Sequence, residues 1–280
     1  MNTENLPDSE IRALLRLIQD EDEGTVLVLK KQLRGLVDSQ RASVQTMVAN
    51  EFPQLRSTVE SLIEESRWDN LEAEIRVFAE RRGEPDLEQG LYLLSKFSYH
   101  RVTRTDISFP LDTIAAEIRE SGAATASSGM IDKINHTLFT KYGFRGNESD
   151  YYDPDNSFLF SVLRKRMGSP IALSCIYLMV AARLDMQAGG MALPGHFVVQ
   201  IKTHPDHVYL DPFRRGRRLT LGDCKAIAAR QNTSWDPAFL VPSSPSYMLA
   251  RTSANLANAY DKAGNERKAG FFKRCMEIFE

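Results

Sequence analysis

The sequence predicts a predominantly helical α+β protein, and three observations carry that expectation. Apolar residues recur at helical spacing through residues 1–121. After Asp185 the pattern switches to the β-prone Phe197, Val198, Val199 and Ile201, and Val208-Tyr209-Leu210 reads as a returning strand. Residues 244–280 then revert to two helical patterns. The expected sections are therefore 1–121, 122–243 and 244–280.

Asp8 or Ser9 suits the cap of a first helix, whose Ile11, Leu14, Leu15 and Ile18 share one face. The acidic run Asp20 to Glu23 suits a turn and the electropositive start of a second helix carrying Val26, Leu29 and Leu33. Pro53 breaks the pattern, and Val59, Leu62 and Ile63 resume it. Further helices are expected from Asn70 to Arg82, Asp86 to His100 and Pro110 to Ser121. Short helices whose apolar faces no single pair can bury suggest a HEAT-like stack. Gly122 to Gly129, small and polar, reads as a connection, and Met130, Ile134, Leu138 and Phe139 mark another helix. Tyr142 to Asn156 reads as a loop long enough to suggest a functional role. A short helix from Phe158 to Met167 follows, and Pro170 suits the first turn of the apolar helix Ile171 to Leu184. Thr203 to His207 reads as a hairpin turn, and Leu221 to Gln231 as a helix. Leu256, Ala257, Tyr260, Gly264 and Ala269 stand at tetratricopeptide-like spacing, a single such unit that cannot form a solenoid; the plainer reading of the last section is a helical hairpin packed on the rest.

Composition excludes several classes of function. The chain has 280 residues and a net charge of -2, so it lacks the basic footprint of a nucleic-acid binder. It has no apolar run near the ~20 residues a membrane span needs, and its first residues carry no secretory pattern. Three widely spaced cysteines, Cys175, Cys224 and Cys275, fit a reduced, cytoplasmic compartment better than a disulfide framework. No metal site is expected, because His196, His204 and His207 lack structural-zinc spacing and no cysteine pair supports them. The acidic loop Asp150, Asp153, Asp155 and Asn156 lacks the order of an EF-hand, and no cofactor is expected.

The chemistry-bearing stretch lies between Gly146 and Phe213. Gly146-Asn147, Tyr152-Asp153-Pro154, Asn156-Ser157, Val162-Leu163, Arg166, Gly168, Pro170-Ile171, Leu173-Ser174, Tyr177, Ala181 and Arg183-Leu184 run in one register. Leu193-Pro194-Gly195-His196-Phe197 and Asp211-Pro212-Phe213 continue it. This series resembles the bacterial SirB-type branch of the transglutaminase-like superfamily; the helical flanks resemble that branch more loosely. The resemblance implies a papain-like core in which a helix packs against a small antiparallel sheet. It also implies a catalytic Cys at the helix start in a G-x-C pattern, with a His and an Asp on successive strands. Laid on this chain, the glycine is Gly168, the His and Asp are His196 and Asp211, and the nucleophile position is Pro170. The SirB-type branch carries proline there too.

Proline offers neither nucleophile nor proton, so the expected function is a non-catalytic protein-interaction or ligand-binding scaffold. The alternative is a hydrolase or acyltransferase using Ser174 or Cys175, with His196 as base and Asp211 orienting it. Against that alternative, Cys175 lies roughly 140° around the helix from Pro170, in an apolar run that favours an inert thiol. Ser174 is nearer to the face of Pro170, and a hydrogen bond to the carbonyl four residues back is its expected fate. Asn156 is a candidate ligand contact beyond its Asx-turn role. Arg214, Arg215 and Arg217, with Arg218, surround Gly216 and are candidates for a small anionic ligand or an acidic partner; the plainer reading is a solvated turn balanced by the acidic N-terminal section.

Overall fold

The structure, a computed structural model, describes residues 6–20, 23–122, 127–204 and 206–280. Parts of three expected features lie outside these residues: the acidic turn at 21–22, the small-residue connection at 123–126 and the hairpin tip at Pro205. The chain forms two compact units, residues 1–73 and 74–280, and both expected section boundaries fall inside the second.

The first unit contains α1 (Asp8–Asp20), α2 (Glu23–Ser39), α3 (Arg41–Asn50) and residues 56–73 of α4 (Arg56–Ala79). The helical spacing read from sequence builds its core: Ile11, Leu14, Leu15 and Ile18 of α1 pack with Leu33, Leu36 and Val37 of α2 and Val44, Met47 and Val48 of α3. Pro53 ends α3's course by starting a 3-10 turn, Pro53–Leu55, and Val59 and Leu62 then join the same core. Asn70 does not begin a helix, because α4 runs unbroken from Arg56 to Ala79. The side chain of Val26 lies outside the described set.

In the second unit, α5 (Leu87–Ser95) starts where Asp86 accepts the Gln89 N–H at 2.6 Å. Helix α6 (Arg104–Glu120) starts earlier than Pro110. A reciprocal capping box fixes that start: the Thr103 hydroxyl accepts from the Asp106 N–H, and the Asp106 carboxylate accepts from the Thr103 N–H. Pro110 therefore sits inside the helix, where it removes one intrahelical donor. Helix α7 (Ser127–Asn135) passes into a wider turn over His136–Lys141. Two short strands, β1 (Arg145–Gly146) and β2 (Met167–Gly168), pair in parallel and flank α8 (Leu159–Lys165). The capping position of α8 is Phe158, without a side-chain bond.

Helix α9 (Pro170–Arg183) is apolar on nearly every face because it is enclosed. It packs on β3 (Ala188–Leu193) and β4 (His196–Lys202), which join β5 (His207–Asp211) and β6 (Arg217–Leu219) in an antiparallel sheet of order β3-β4-β5-β6. The turn Pro194-Gly195 between β3 and β4 needs Gly195, whose φ is +65°. Helix α10 (Leu221–Ala229) follows β6, again with a capping box, Thr220 and Asp223.

The last two helices, α11 (Pro245–Lys262) and α12 (Glu266–Phe279), form the expected hairpin. An aromatic cluster ties it to the rest of the unit. Phe97 meets Phe271 and Phe272 at 4.6 Å between ring centres, and Phe158 packs on Phe272 at 5.9 Å. The second unit is thus mainly helical around one small antiparallel sheet.

Candidate functional site

The site is assembled where α9 begins and β4 begins. Gly168 allows the approach to α9: a Cβ there would lie 2.8 Å from Val162 Cγ1 and 3.3 Å from the Asn156 carbonyl oxygen. Ser169 caps α9, its Oγ accepting the Ala172 N–H at 3.4 Å and the Ser157 hydroxyl at 3.2 Å. Pro170 is the first helical residue; the N–H it lacks would have been an orphan donor there, so the helix loses nothing.

His196 opens β4 and Asp211 closes β5. Their side chains meet, with His196 Nε2 3.0 Å from Asp211 Oδ2. Asp211 is only 1% exposed and His196 13%. The carboxylate also works on the backbone. Its Oδ1 accepts the Arg214 N–H at 3.3 Å, capping the 3-10 turn Pro212–Arg214. Phe213 leaves that turn edge-on to the His196 ring, 5.9 Å between centres and at 90°. On its other side Phe213 fills the space above Gly146, where a Cβ would lie 2.5 Å from the ring. The motif Asp211-Pro212-Phe213 was visible in the sequence, but nothing local signals that Phe213 walls the histidine.

Neither alternative nucleophile hydrogen-bonds to His196. Cys175 is fully buried, and burial pushes its thiol up to about 12, which leaves it protonated and unreactive near neutrality. Ser174 is also fully buried, but its hydroxyl donates to the Phe197 carbonyl on β4, at 3.3 Å, and not to the helix carbonyl four residues back. The sheet register explains the difference. Leu193 and His196 flank a two-residue turn and form a hydrogen-bonded pair, so the next pair, Ala192 and Phe197, turns its backbone groups away from each other. Continuing the β4–β5 register past Val199 and Leu210 would set Phe197 opposite Pro212, which has no N–H. Ser174 supplies the missing donor. Among the described residues, Asp211 is the one side-chain hydrogen-bond partner of His196.

A cavity of about 200 Å³ opens beside the pair. Pro194, Gly195, His196, Asp211, Leu219 and residues of α10 line it. Arg214 and Arg217, expected from sequence, also line it; Arg215, expected with them, takes a left-handed conformation at φ 55° and does not. Arg217 pairs with Asp223 at 2.7 Å and Arg218 with Asp132 at 2.7 Å, so acidic residues of the second unit balance these two arginines. Asn156 lies outside the cavity. Its buried side chain donates to the carbonyls of Asp150 and Tyr151 and accepts from Asn147, which consumes its polar atoms in bracing the preceding loop. Arg230 and Gln231 complete the lining and were not foreseen. They lie about 20 residues beyond the motif, at the far end of a helix, and only the fold brings them back.

Among the described residues, no group of three or more His, Cys, Asp or Glu is placed to hold a metal ion, and no helix is long and apolar enough to cross a membrane.

A profile of the transglutaminase-like superfamily matches residues 105–254. The chain belongs to that superfamily. The matched stretch runs from α6 into α11 and contains Pro170, His196 and Asp211. A UPF0162 protein from Xylella fastidiosa is 34% identical over 139 residues, which cover 48% of this chain and 43% of that protein. Mouse F-box only protein 21 is 26% identical over 160 residues, 54% of this chain and 25% of that protein. Protein SirB1 of Salmonella typhimurium is 28% identical over 85 residues, 30% of this chain and 32% of that protein. The UPF0162 and SirB1 relatives fit the SirB-type branch of the superfamily. The chain spans less than half the length of each of these three relatives. No solved structure matches it.

Proposed function

We propose that this chain is a non-catalytic transglutaminase-like protein, in which the cleft at His196 and Asp211 serves ligand or partner binding. One observation carries the reading: the position at the start of α9 where the superfamily's catalytic cysteine is expected holds Pro170, a residue with nothing to attack with. The burial of Cys175 and the use of the Ser174 hydroxyl by Phe197 support it, because neither side chain offers a replacement nucleophile. In this reading the His196–Asp211 pair keeps a polar, shaped edge on the cleft. The helical flanks act as the interaction surfaces: a HEAT-like section over residues 1–121 and a single tetratricopeptide-like hairpin over residues 244–280, which in sequence bracket a core over 122–243. The protein works in the cytoplasm, where its three free thiols stay reduced.

Activity-probe labelling tests this proposal. The full chain is treated with thiol- and serine-directed electrophilic probes, alongside His196→Ala. The expected result is no labelling above that of the variant. Labelling of the wild type that disappears in His196→Ala would overturn the proposal in favour of a hydrolase or acyltransferase.

A further inference from the structure

We propose that the cavity beside His196 binds a small oxyanion, a carboxylate or phosphate group, held mainly by Arg230, Arg217 and Arg214. This rests on the ligand-binding reading of the cleft and specifies its ligand class. The balance of donors and acceptors around the cavity points to an anion. Two carboxylates line it, and all four of their oxygens are already used. Asp211 Oδ2 is held by His196 and Oδ1 by the Arg214 N–H. Asp223 Oδ1 is held by Arg217, and its Oδ2 accepts from both the Thr220 N–H and the Thr220 hydroxyl.

The donors are in the opposite condition. Arg230 follows the last residue of α10 and lines the cavity, yet its guanidinium makes no ion pair or hydrogen bond among the described residues. Arg214 holds its Nε 3.8 Å from Asp211, which is beyond hydrogen-bond reach. Among the described residues, Arg217 spends a single hydrogen bond, on Asp223. The lining's formal charge is three arginines against two aspartates, so one positive charge remains without a counter-charge. Gln231 adds an amide packed against the Pro194-Gly195 turn: a Cβ on Gly195 would lie 2.7 Å from its Cδ.

A planar guanidinium fork matches two oxygens of a carboxylate or phosphate, and such charge-assisted bonds are about twice as strong as neutral ones. The cavity, at about 200 Å³, falls below the roughly 300–1,000 Å³ of sites for drug-sized ligands. A small anion, or a single anionic group at the end of a larger molecule, fits it. Arg214 and Arg217 are 46% and 53% exposed, so an anion can enter from solvent and draw both inward.

The test follows the ring resonances of His196 by NMR in the full chain, assigned by their loss in His196→Gln. Inorganic phosphate and malonate are titrated separately at constant ionic strength, with chloride as the balancing salt. A saturable shift is expected with phosphate, with malonate or with both, and the pattern identifies the anion type. Arg230→Ala should weaken the apparent affinity about tenfold, the size of a lost charge-assisted bond, while Arg215→Gln should leave it unchanged. No saturable shift with either anion overturns the proposal, as does an equal response in Arg230→Ala or equal weakening by Arg215→Gln. Such a failure leaves the non-catalytic reading standing, because probe labelling reads that independently.

Discussion

Replacing Pro170 by cysteine should create a low-pKa thiol at the start of α9. The perturbation is mild for the fold: Pro170 is the first helical residue, so restoring an N–H adds one more orphan donor and removes no hydrogen bond. The main expected cost is the lost rigidity of proline in the unfolded chain, about 0.4–1 kcal/mol. The geometry of Ser174 places the new thiol. Ser174 lies one helical turn after Pro170, and its hydroxyl touches the carbonyl of the residue after His196. The helix start and the imidazole therefore share one end of the sheet. A helix N-terminus stabilises an anion by about 0.3–1 kcal/mol, up to about 2 when partly buried. At about 1.36 kcal/mol per unit, the larger figure lowers a thiol from about 8.5 to about 7, and an ion pair with the imidazole lowers it further. The native thiols leave a quiet background, since burial pushes Cys175 up to about 12 and Cys224 up to about 11, and Cys275 is fully buried. The assay is thiolate absorbance in the far ultraviolet against pH, with alkylation by iodoacetamide as a second readout. The expected midpoint is at or below about 7, moving upward when His196→Ala is added. A midpoint at or above that of an ordinary thiol, or one indifferent to His196→Ala, would refute the placement of His196 as a partner to the helix start.

Three further outcomes are expected. Ser174→Ala leaves the buried Phe197 carbonyl without its donor and should cost about 1–3 kcal/mol in urea unfolding; a loss below ~0.5 kcal/mol would show that water or a backbone shift replaces the hydroxyl. Phe272→Ala removes a fully buried ring that touches Phe97, Phe158, Tyr260 and Phe271 and should cost about 3–5 kcal/mol, read as a lowered denaturation midpoint with the slope unchanged. Stability should also fall in alkali: the folded Cys175 thiol titrates higher than its ordinary value of 9.0, at about 12. The protonated form is the one the fold favours, so this contribution is intact below pH 9 and is lost as pH rises toward 12. Cys175→Ala should flatten that limb of the stability profile, and an unchanged slope would sink the assignment.

Much of the site was legible because local chemistry wrote it. Ser169-Pro170 announces a helix start, Pro194-Gly195 a tight turn before His196, and Asp211-Pro212 the end of a strand; the structure contains all three. What stayed hidden depends on distant partners or on weak local signals. The partner of Ser174 differs from the expected one because the free carbonyl of Phe197 arises from a sheet register that ends at Pro212. Strand β3 does not stand out from β4 in the sequence, since Gly189 and Gly190 depress its β-propensity; Gly190 is needed where the Phe197 ring crosses it, a Cβ there lying 2.5 Å from Cε1. At α6 the proline at 110 outweighs, to the eye, a capping box at Thr103 and Asp106, although the box satisfies two donors and the proline removes one.

The double use of the Asp211 carboxylate explains how a histidine–aspartate pair holds its geometry beside a proline. One oxygen caps the turn Pro212–Arg214, and through that turn it sets Phe213 over Gly146 and against His196. The other oxygen fixes the imidazole. Removing the carboxylate would free the histidine and also undo the turn that walls the cavity, whether or not any substrate is ever attacked. The pair therefore has a structural reason to exist that is independent of a nucleophile. In the reading proposed for this chain, that rigidity is the useful property: it holds His196 and the Pro212–Arg214 turn in place at the cavity, while the unpaired guanidinium of Arg230 is left to meet what enters.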